Sequence, residues 1–246
     1  MAFILLFAVA IWAGAQNALA GGGSFLTLPT LMLTGMDALA ANVTSCVALF
    51  PAQVATGWTG RKLATGANGL SLRTLFVISI LGGAVGAAVL LATPRGLFAQ
   101  LVPWLVLFAT VVFAWGSFFR KPSEAQSHLG APGAALAQFL ISIYGGYFGG
   151  GIGFLMVAAL TMGGQGVRIA SATKNVLAGV MNASAVAIFL FSPDLHWPQA
   201  LVASAGATIG GIAGGLLIHY IDEKLLRIFV IVIGAALTVG LFLRAP

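Results

Sequence analysis

The chain has 246 residues, of which 60% are hydrophobic and only 7% charged, with a mean hydropathy of +1.06, against about 25% charged in soluble domains. Eleven Lys+Arg and five Asp+Glu cannot solvate a 25.1 kDa globule, so soluble enzymes and nucleic-acid binders are set aside and an integral membrane protein is expected. The net charge of +6 comes from basic residues scattered between apolar runs, a pattern of orientation signals and not of a binding stripe.

Met1 to Ala20 is apolar and ends Ala18-Leu19-Ala20, like a small-residue cleavage site, but no Lys or Arg precedes it. A first membrane segment is therefore expected in place of a cleaved signal. With about 20 apolar residues needed per crossing, eight segments follow, at 2–34, 38–57, 71–92, 98–119, 134–162, 169–191, 199–221 and 225–243. The expected fold class is an all-α polytopic membrane protein forming one compact transmembrane domain. Charge gathers between the segments, at Arg61-Lys62 with Arg73, at Arg120-Lys121 before Glu124, and at Asp222-Glu223-Lys224 with Arg227.

The chain also matches itself. Gly21-Gly22-x-x-Phe25-Leu26 recurs as Gly150-Gly151-x-x-Phe154-Leu155, and Gly35, Ala41 and Thr44 recur 129 positions later as Gly164, Ala170 and Thr173. Gly82-Gly83-x-x-Gly86 returns 128 positions later as Gly210-Gly211-x-x-Gly214. Two pseudo-symmetric four-segment repeats, 1–119 and 134–246 joined by a connecting loop at 120–133, are the economical reading; chance matching of Gly and Leu is the alternative. The small-x3-small spacing of Gly82 and Gly86, and of Gly210 and Gly214, predicts close helix packing.

The opening segment of each repeat has an awkward length. Residues 2–34 as one helix would span about 50 Å, beyond a hydrocarbon core of about 30 Å, yet they are too few for two crossings. Gly21-Gly22-Gly23 interrupts the first, and Gly149-Gly150-Gly151 with Gly153 the second. Broken or re-entrant helices are expected there, because glycine breaks helices easily and unwound backbone at membrane depth must face protein or a watery cavity. Paired breaks in two halves point to a transporter site; two Gly-rich packing faces are the alternative. If all eight segments cross, the loop cations divide 6 to 4 between the two sides. If the broken segments re-enter, the halves are inverted and the split is 8 to 2, with only Arg95 and Arg244 opposite the rest. The positive-inside rule favours the second arrangement, which puts both termini outside.

Lys174 is the clearest intramembrane charge, within Ala170-Ser171-Ala172-Thr173-Lys174-Asn175 and far from any acidic residue in sequence. A buried ammonium wants an anion, here a substrate; the other reading is that it snorkels to the interface. Ser45 stands at the corresponding position of the first half, in Thr44-Ser45-Cys46. Walls built from Thr44, Ser45, Thr173 and Asn175, one bearing a cation, suit a small oxyanion. Broken-helix backbone at Gly22, Gly23 and Gly151 adds free N–H groups and positive dipole ends. Asn17 and Ser24 complete the candidate binding set, and Gln16, Thr27, Asn182 and Ser184 are further polar residues at depth.

Other motifs carry less. The triplets Asn42-Val43-Thr44 and Asn182-Ala183-Ser184 lie in membrane runs, where no glycan is attached. Cys46 is the lone cysteine, and His128, His196 and His219 form no ligand constellation, so no metal, cofactor or catalytic residue is expected. For energy coupling by H+ or Na+, Asp37 is the acid farthest from a charged loop, and it also reads as a helix N-cap or interfacial residue.

Taken together, these residues resemble the TauE/SafE family of sulfite exporter-like proteins, also called the toluene-sulfonate uptake permease family, over nearly the full chain. The first half carries Gly21-Gly22-Gly23-Ser24-x4-Pro29-x5-Gly35-x5-Ala41-x2-Thr44-Ser45. The second half is similar at Gly149-Gly150-Gly151, Gly153, Ala170-x2-Thr173-Lys174 and Met181-Asn182. It departs in having Ala158 where the repeat places proline, which predicts a gentler second break. The resemblance implies a bacterial inner-membrane transporter of sulfur-containing anions such as sulfite, sulfonates or sulfoacetate, working in either direction. Expected partners are the small anionic substrate and the lipid bilayer, with no nucleic acid and with homo-oligomers compatible with the sequence. A passive small-anion channel, and an assembly protein with no saturable ligand, are the competing readings.

Overall fold

The computed structural model describes residues 2–19, 22–118, 130–217 and 223–244. Gly21 and most of the connecting loop at 120–133, with Arg120, Lys121 and His128, lie outside these residues, as do His219 and Asp222. The described chain is helical throughout: α1 Ala2–Leu19, α2 Ser24–Leu33, α3 Ala38–Gly60, α4 Leu72–Ala92, α5 Arg95–Phe118, α6 Ala131–Tyr147, α7 Ile152–Met162, α8 Val167–Phe189, α9 Trp197–Leu217 and α10 Glu223–Arg244. Among the described residues, four helical stretches are long and apolar enough to cross a membrane: α3, α4, Arg95–Val112 of α5 and Arg168–Phe189 of α8.

Polarity is distributed the opposite way from a water-soluble globule. Val77, Leu81, Val85 and Val89 form an exposed stripe along α4, and Trp104, Phe108, Val111 and Trp115 along α5, whereas Gln16, Asn42, Thr44, Ser45, Gln138, Ser142, Thr173 and Asn182 are buried. Only a lipid solvent makes that arrangement favourable, since in water it would expose broad apolar faces. The chain is a multi-pass membrane protein.

The bundle has two distinguishable ends. At one, which we call the acidic end, Arg95 at the start of α5 bridges Asp37, at 2.6 Å, and Asp194 in the loop after α8. Asp37 also caps α3, its Oδ1 accepting from Leu39 N and Ala40 N at 3.0 Å each, so its carboxylate is engaged at the membrane edge. At the other, basic end, Arg61, Lys62, Arg73 and Arg168 stand exposed. Arg61 stacks on Trp58, 3.6 Å from the ring centroid, as amphipathic residues do at a membrane boundary.

Helices α3 and α8 pass each other antiparallel. Thr44 near the start of α3 accepts from His196 N beyond the end of α8, at 3.2 Å. Thr173 near the start of α8 accepts from Thr65 N beyond the end of α3, at 3.1 Å. Each of the two longest segments of the sequence is divided into two helices, α1 and α2 in the first and α6 and α7 in the second. Gly23 lies against the Ala13 carbonyl and Asn17, so α2 folds back along α1. Ala131 at the start of α6 and Gly163 after α7 both meet the loop following α3, at Gly69 and Asn68; the α6–α7 pair leaves and returns to the basic end. The second break is no gentler than the first. Gly149 and Gly151 both take positive φ, 79° and 74°, as Gly22 does at 81°. Pro29 lies well inside α2, so left-handed glycines set both breaks and the proline difference does not soften one of them.

The outer helices dock through glycine stripes. A Cβ on Gly210 would collide with the Ile11 carbonyl of α1, and one on Gly86 with the Ile143 carbonyl of α6. Parallel α1/α9 and α4/α6 contacts thus approach backbone to backbone, as the small-residue spacing anticipated.

Candidate functional site

Helices α3 and α8 are lined on their inner sides by residues too polar for a lipid-facing or packing role, and between them and the two breaks lies a cavity of about 50 Å3. One water needs roughly 10–15 Å3 on this measure, so the space suits a handful of waters or one compact oxyanion. Its single charged wall residue is Lys174. The lysine lies across Gly153 in the first turn of α7, where an added Cβ would stand 3.4 Å from Cδ and 3.6 Å from Nζ. It therefore turns into the protein and does not reach for the basic end. Among the described residues the ion pairs are those of Arg95, and no lining residue is Asp or Glu, so the ammonium faces the cavity without a carboxylate.

The helix termini add to that field. Neither α2, starting after Gly23, nor α7, starting after the left-handed Gly151, has a side-chain cap on its N-terminus. Gly22 and Ser24 bring the first of these ends to the cavity, and Gly149, Ile152 and Gly153 the second. Phe25 N and Leu26 N of α2 donate to the Gly22 and Gly23 carbonyls, and Phe154 N of α7 to that of Gly151, so what each end brings is chiefly the positive pole of its helix, about half a charge. A cation beside a helix N-terminus is mutually repulsive when the site is empty, and an anion between them relieves both.

Neutral donors complete the lining. Five carboxamides, on Asn17, Asn42, Gln53, Asn175 and Asn182, face the cavity, with hydroxyls on Ser24, Ser45 and Thr56. Asn42 Nδ2 donates to the Tyr147 carbonyl at 3.0 Å, tying α3 to the second break. Gln16 Nε2 donates to the Gly22 carbonyl at 3.2 Å and so supports the first break from below.

A family model described as Sulfite exporter TauE/SafE matches residues 6–241. The chain belongs to the TauE/SafE family. Its relatives include a "Probable membrane transporter protein" of Haemophilus influenzae, 27% identical over 239 residues that cover 95% of this chain and 92% of that protein. "Probable membrane transporter protein YfcA" of Escherichia coli strain K12 is 27% identical over 243 residues, 96% and 88% of the two chains. "Probable membrane transporter protein ORF9" of a Sinorhizobium species is 25% identical over 243 residues, 96% and 90%. The protein is a transmembrane transporter of the TauE/SafE type, consistent with a multi-pass position in the inner membrane.

In this TauE/SafE chain the residues singled out from sequence divide into two groups. Lys174, Asn175, Ser45, Asn17, Ser24 and Gly22 line the cavity. Thr44, Thr173, Gly23 and Gly151 do not: the two threonines spend their hydroxyls on the loops beyond α8 and α3. Gly23 is packed against α1, and Gly151 against Ala109 of α5. Ser45 is held by Thr27, their hydroxyls 2.5 Å apart. Sequence reasoning did not select Asn42, Gln53 or Thr56, and treated Cys46 only as an unpaired thiol. The signal that could have found Gln53 is its polar partner Asn182, 129 positions on.

Proposed function

We propose that this protein is a secondary transporter that moves small sulfur-containing anions, such as sulfite, sulfonates or sulfoacetate, across the bacterial inner membrane by alternating access. The observation that carries the reading is Lys174: an ammonium inside a small cavity, beside an uncapped helix N-terminus and facing no carboxylate among the described residues. A cation so placed gains most from a mobile anion. The cavity volume favours a compact oxyanion, and the lining supplies N–H and O–H donors at several angles.

Alternating access is supported by how the two halves pair. Helix α1 packs on α9 as α6 packs on α4, and α3 packs on α9 as α8 packs on α4. This matches two repeats, 1–119 and 134–246, related by an axis lying in the membrane because α3 and α8 are antiparallel. The α1–α2 and α6–α7 pairs act as re-entrant hairpins, leaving three crossings per half. The basic end then faces the cytoplasm. The site lies where the two halves meet, which is where rocking one half against the other exposes it to each side in turn.

Counterflow in proteoliposomes preloaded with sulfite, sulfoacetate or taurine tests the reading, with native protein beside Lys174→Ala. Saturable exchange by the native chain, reduced about tenfold or more in a folded Lys174→Ala variant, is the expected outcome. Ohmic chloride current without exchange would replace the carrier with a channel.

A further inference from the structure

We propose that Gln53 and Asn182 are a further pair of substrate-contacting residues, set on the pseudo-two-fold axis and presenting free N–H donors that favour oxyanions. The proposal rests on the cavity being the anion site. Both side chains line it, and Asn182 Nδ2 donates to Gln53 Oε1 in a short hydrogen bond. Their separation of 129 residues is also the separation of Thr44 and Thr173, which make reciprocal bonds to the loops at opposite ends of the α3/α8 pair. Two residues at equivalent positions of a two-fold pair can touch each other only where the axis passes between them. The axis therefore runs through this carboxamide contact, at the cavity wall.

Position on the axis has a mechanical meaning. When one half rocks against the other, contacts far from the axis open and close, while a contact on it moves least. Gln53 and Asn182 can hold the substrate in both the inward and the outward state, whereas the Thr44 and Thr173 bonds at the two ends cannot both persist.

The chemistry of the pair is one-sided. The Gln53 carbonyl is occupied by Asn182, and the Asn182 carbonyl by the Cys46 thiol, 4.0 Å away. Each carbonyl oxygen already accepts one protein donor, weakly in the case of the Cys46 thiol, and among the described residues Gln53 Nε2 has no acceptor, so its N–H groups remain for the cavity. Such a surface favours the oxygens of an anion over an ammonium or a metal cation.

The decisive variant is Gln53→Glu. A carboxylate at 53 still accepts from Asn182, so a purely structural role survives; it removes the N–H donors and adds a negative charge, so an anion-contacting role does not. The companion variant exchanges the pair, Gln53→Asn with Asn182→Gln, which keeps every donor and acceptor. Half-saturation and maximal rate of sulfite counterflow are measured in proteoliposomes for native protein, Gln53→Glu, Gln53→Asn, Asn182→Gln and the exchanged double variant, each checked by gel filtration in detergent. We expect half-saturation in Gln53→Glu to rise at least about tenfold. The exchanged variant should exceed both single variants in activity, and where Gln53→Glu does not fold the deciding readout is half-saturation, raised in the folded single variants and returned toward native in the exchanged one. Native half-saturation in Gln53→Glu, or an exchanged variant no better than its singles, overturns the proposal. If the native chain shows no exchange, the transport reading fails separately, and sulfite-induced thermal stabilisation then tests the pair: present in native protein and lost in Gln53→Glu supports it, equal in both overturns it.

Discussion

Lys174 and Ser45 lie 129 positions apart, the offset at which the sequence matches itself, and the surroundings of each explain why only one is a cation. Ser45 is 1% exposed and its hydroxyl meets Thr27 at 2.5 Å, whereas Lys174 has Gly153 beside it to leave room for a long side chain. Ser45→Lys should therefore overpack α2 against α3 and bury a second ammonium, costing about 3 kcal/mol or more; thermal unfolding in detergent measures it, and an unchanged midpoint would contradict this account. At this scale the sequence made Lys174 legible, because a charge in an apolar run demands an explanation. The carboxamides were less legible. A lone Asn or Gln in a membrane helix usually bridges helices, as Asn42 does to Tyr147, and only the fold shows that Gln53 and Asn175 turn inward. Thr44 and Thr173 misled because a hydroxyl next to the site in sequence points elsewhere once the helix turns.

Among the elements, the glycine clusters announced the two broken helices, since no other residue takes positive φ so cheaply. Whether the broken segments cross or return rested on charge counting alone. What resolves the geometry is contact between distant segments, such as Gly163 with Asn68, which no local pattern encodes. The acidic end shows the same limit: Asp37 was readable as an N-cap, but its meeting with Arg95 and Asp194 brings together residues from three loops. The bridge ties the α2–α3 and α4–α5 connections to the loop after α8. With the Arg95 side chain 60% exposed, the link is worth about 1 kcal/mol or less, weak enough for the proposed alternating-access cycle to break it. Arg95→Gln should raise labelling of Cys46, the lone cysteine and a cavity residue, by an impermeant thiol reagent added on the acidic side, by up to about fivefold. Equal labelling in both proteins would mean that the bridge does not hold that end shut.

For the whole molecule, the relative directions of the helices decide where the ends of the described chain lie. Helix α1 runs parallel to α9, and α10 antiparallel to α5, with Thr110 against Gly234 and Trp104 against Phe242 at 5.0 Å. Both ends of the described chain thus lie at the acidic end. Alkaline phosphatase fused after Pro246 should be active and green fluorescent protein at the same place dark; the reverse would invert the orientation. The spaced glycines marked packing faces on α4 and α9, while the partner of each helix was not legible, because a glycine stripe does not say which helix it will meet.

The charge difference between the two ends also bears on energetics. Arg244, the last residue of α10, is at the same end as Arg95, Asp37 and Asp194, so that end has two charges of each sign, whereas the described side chains of the basic end include the four cations Arg61, Lys62, Arg73 and Arg168. In the proposed orientation this contrast would concentrate cytosolic anions at the basic mouth. The resting potential, negative inside, adds about 2.3 kcal/mol per charge per 100 mV for a monoanion moving outward. If the proposed anion carrier works as a uniporter in the proposed orientation, that force alone would favour export.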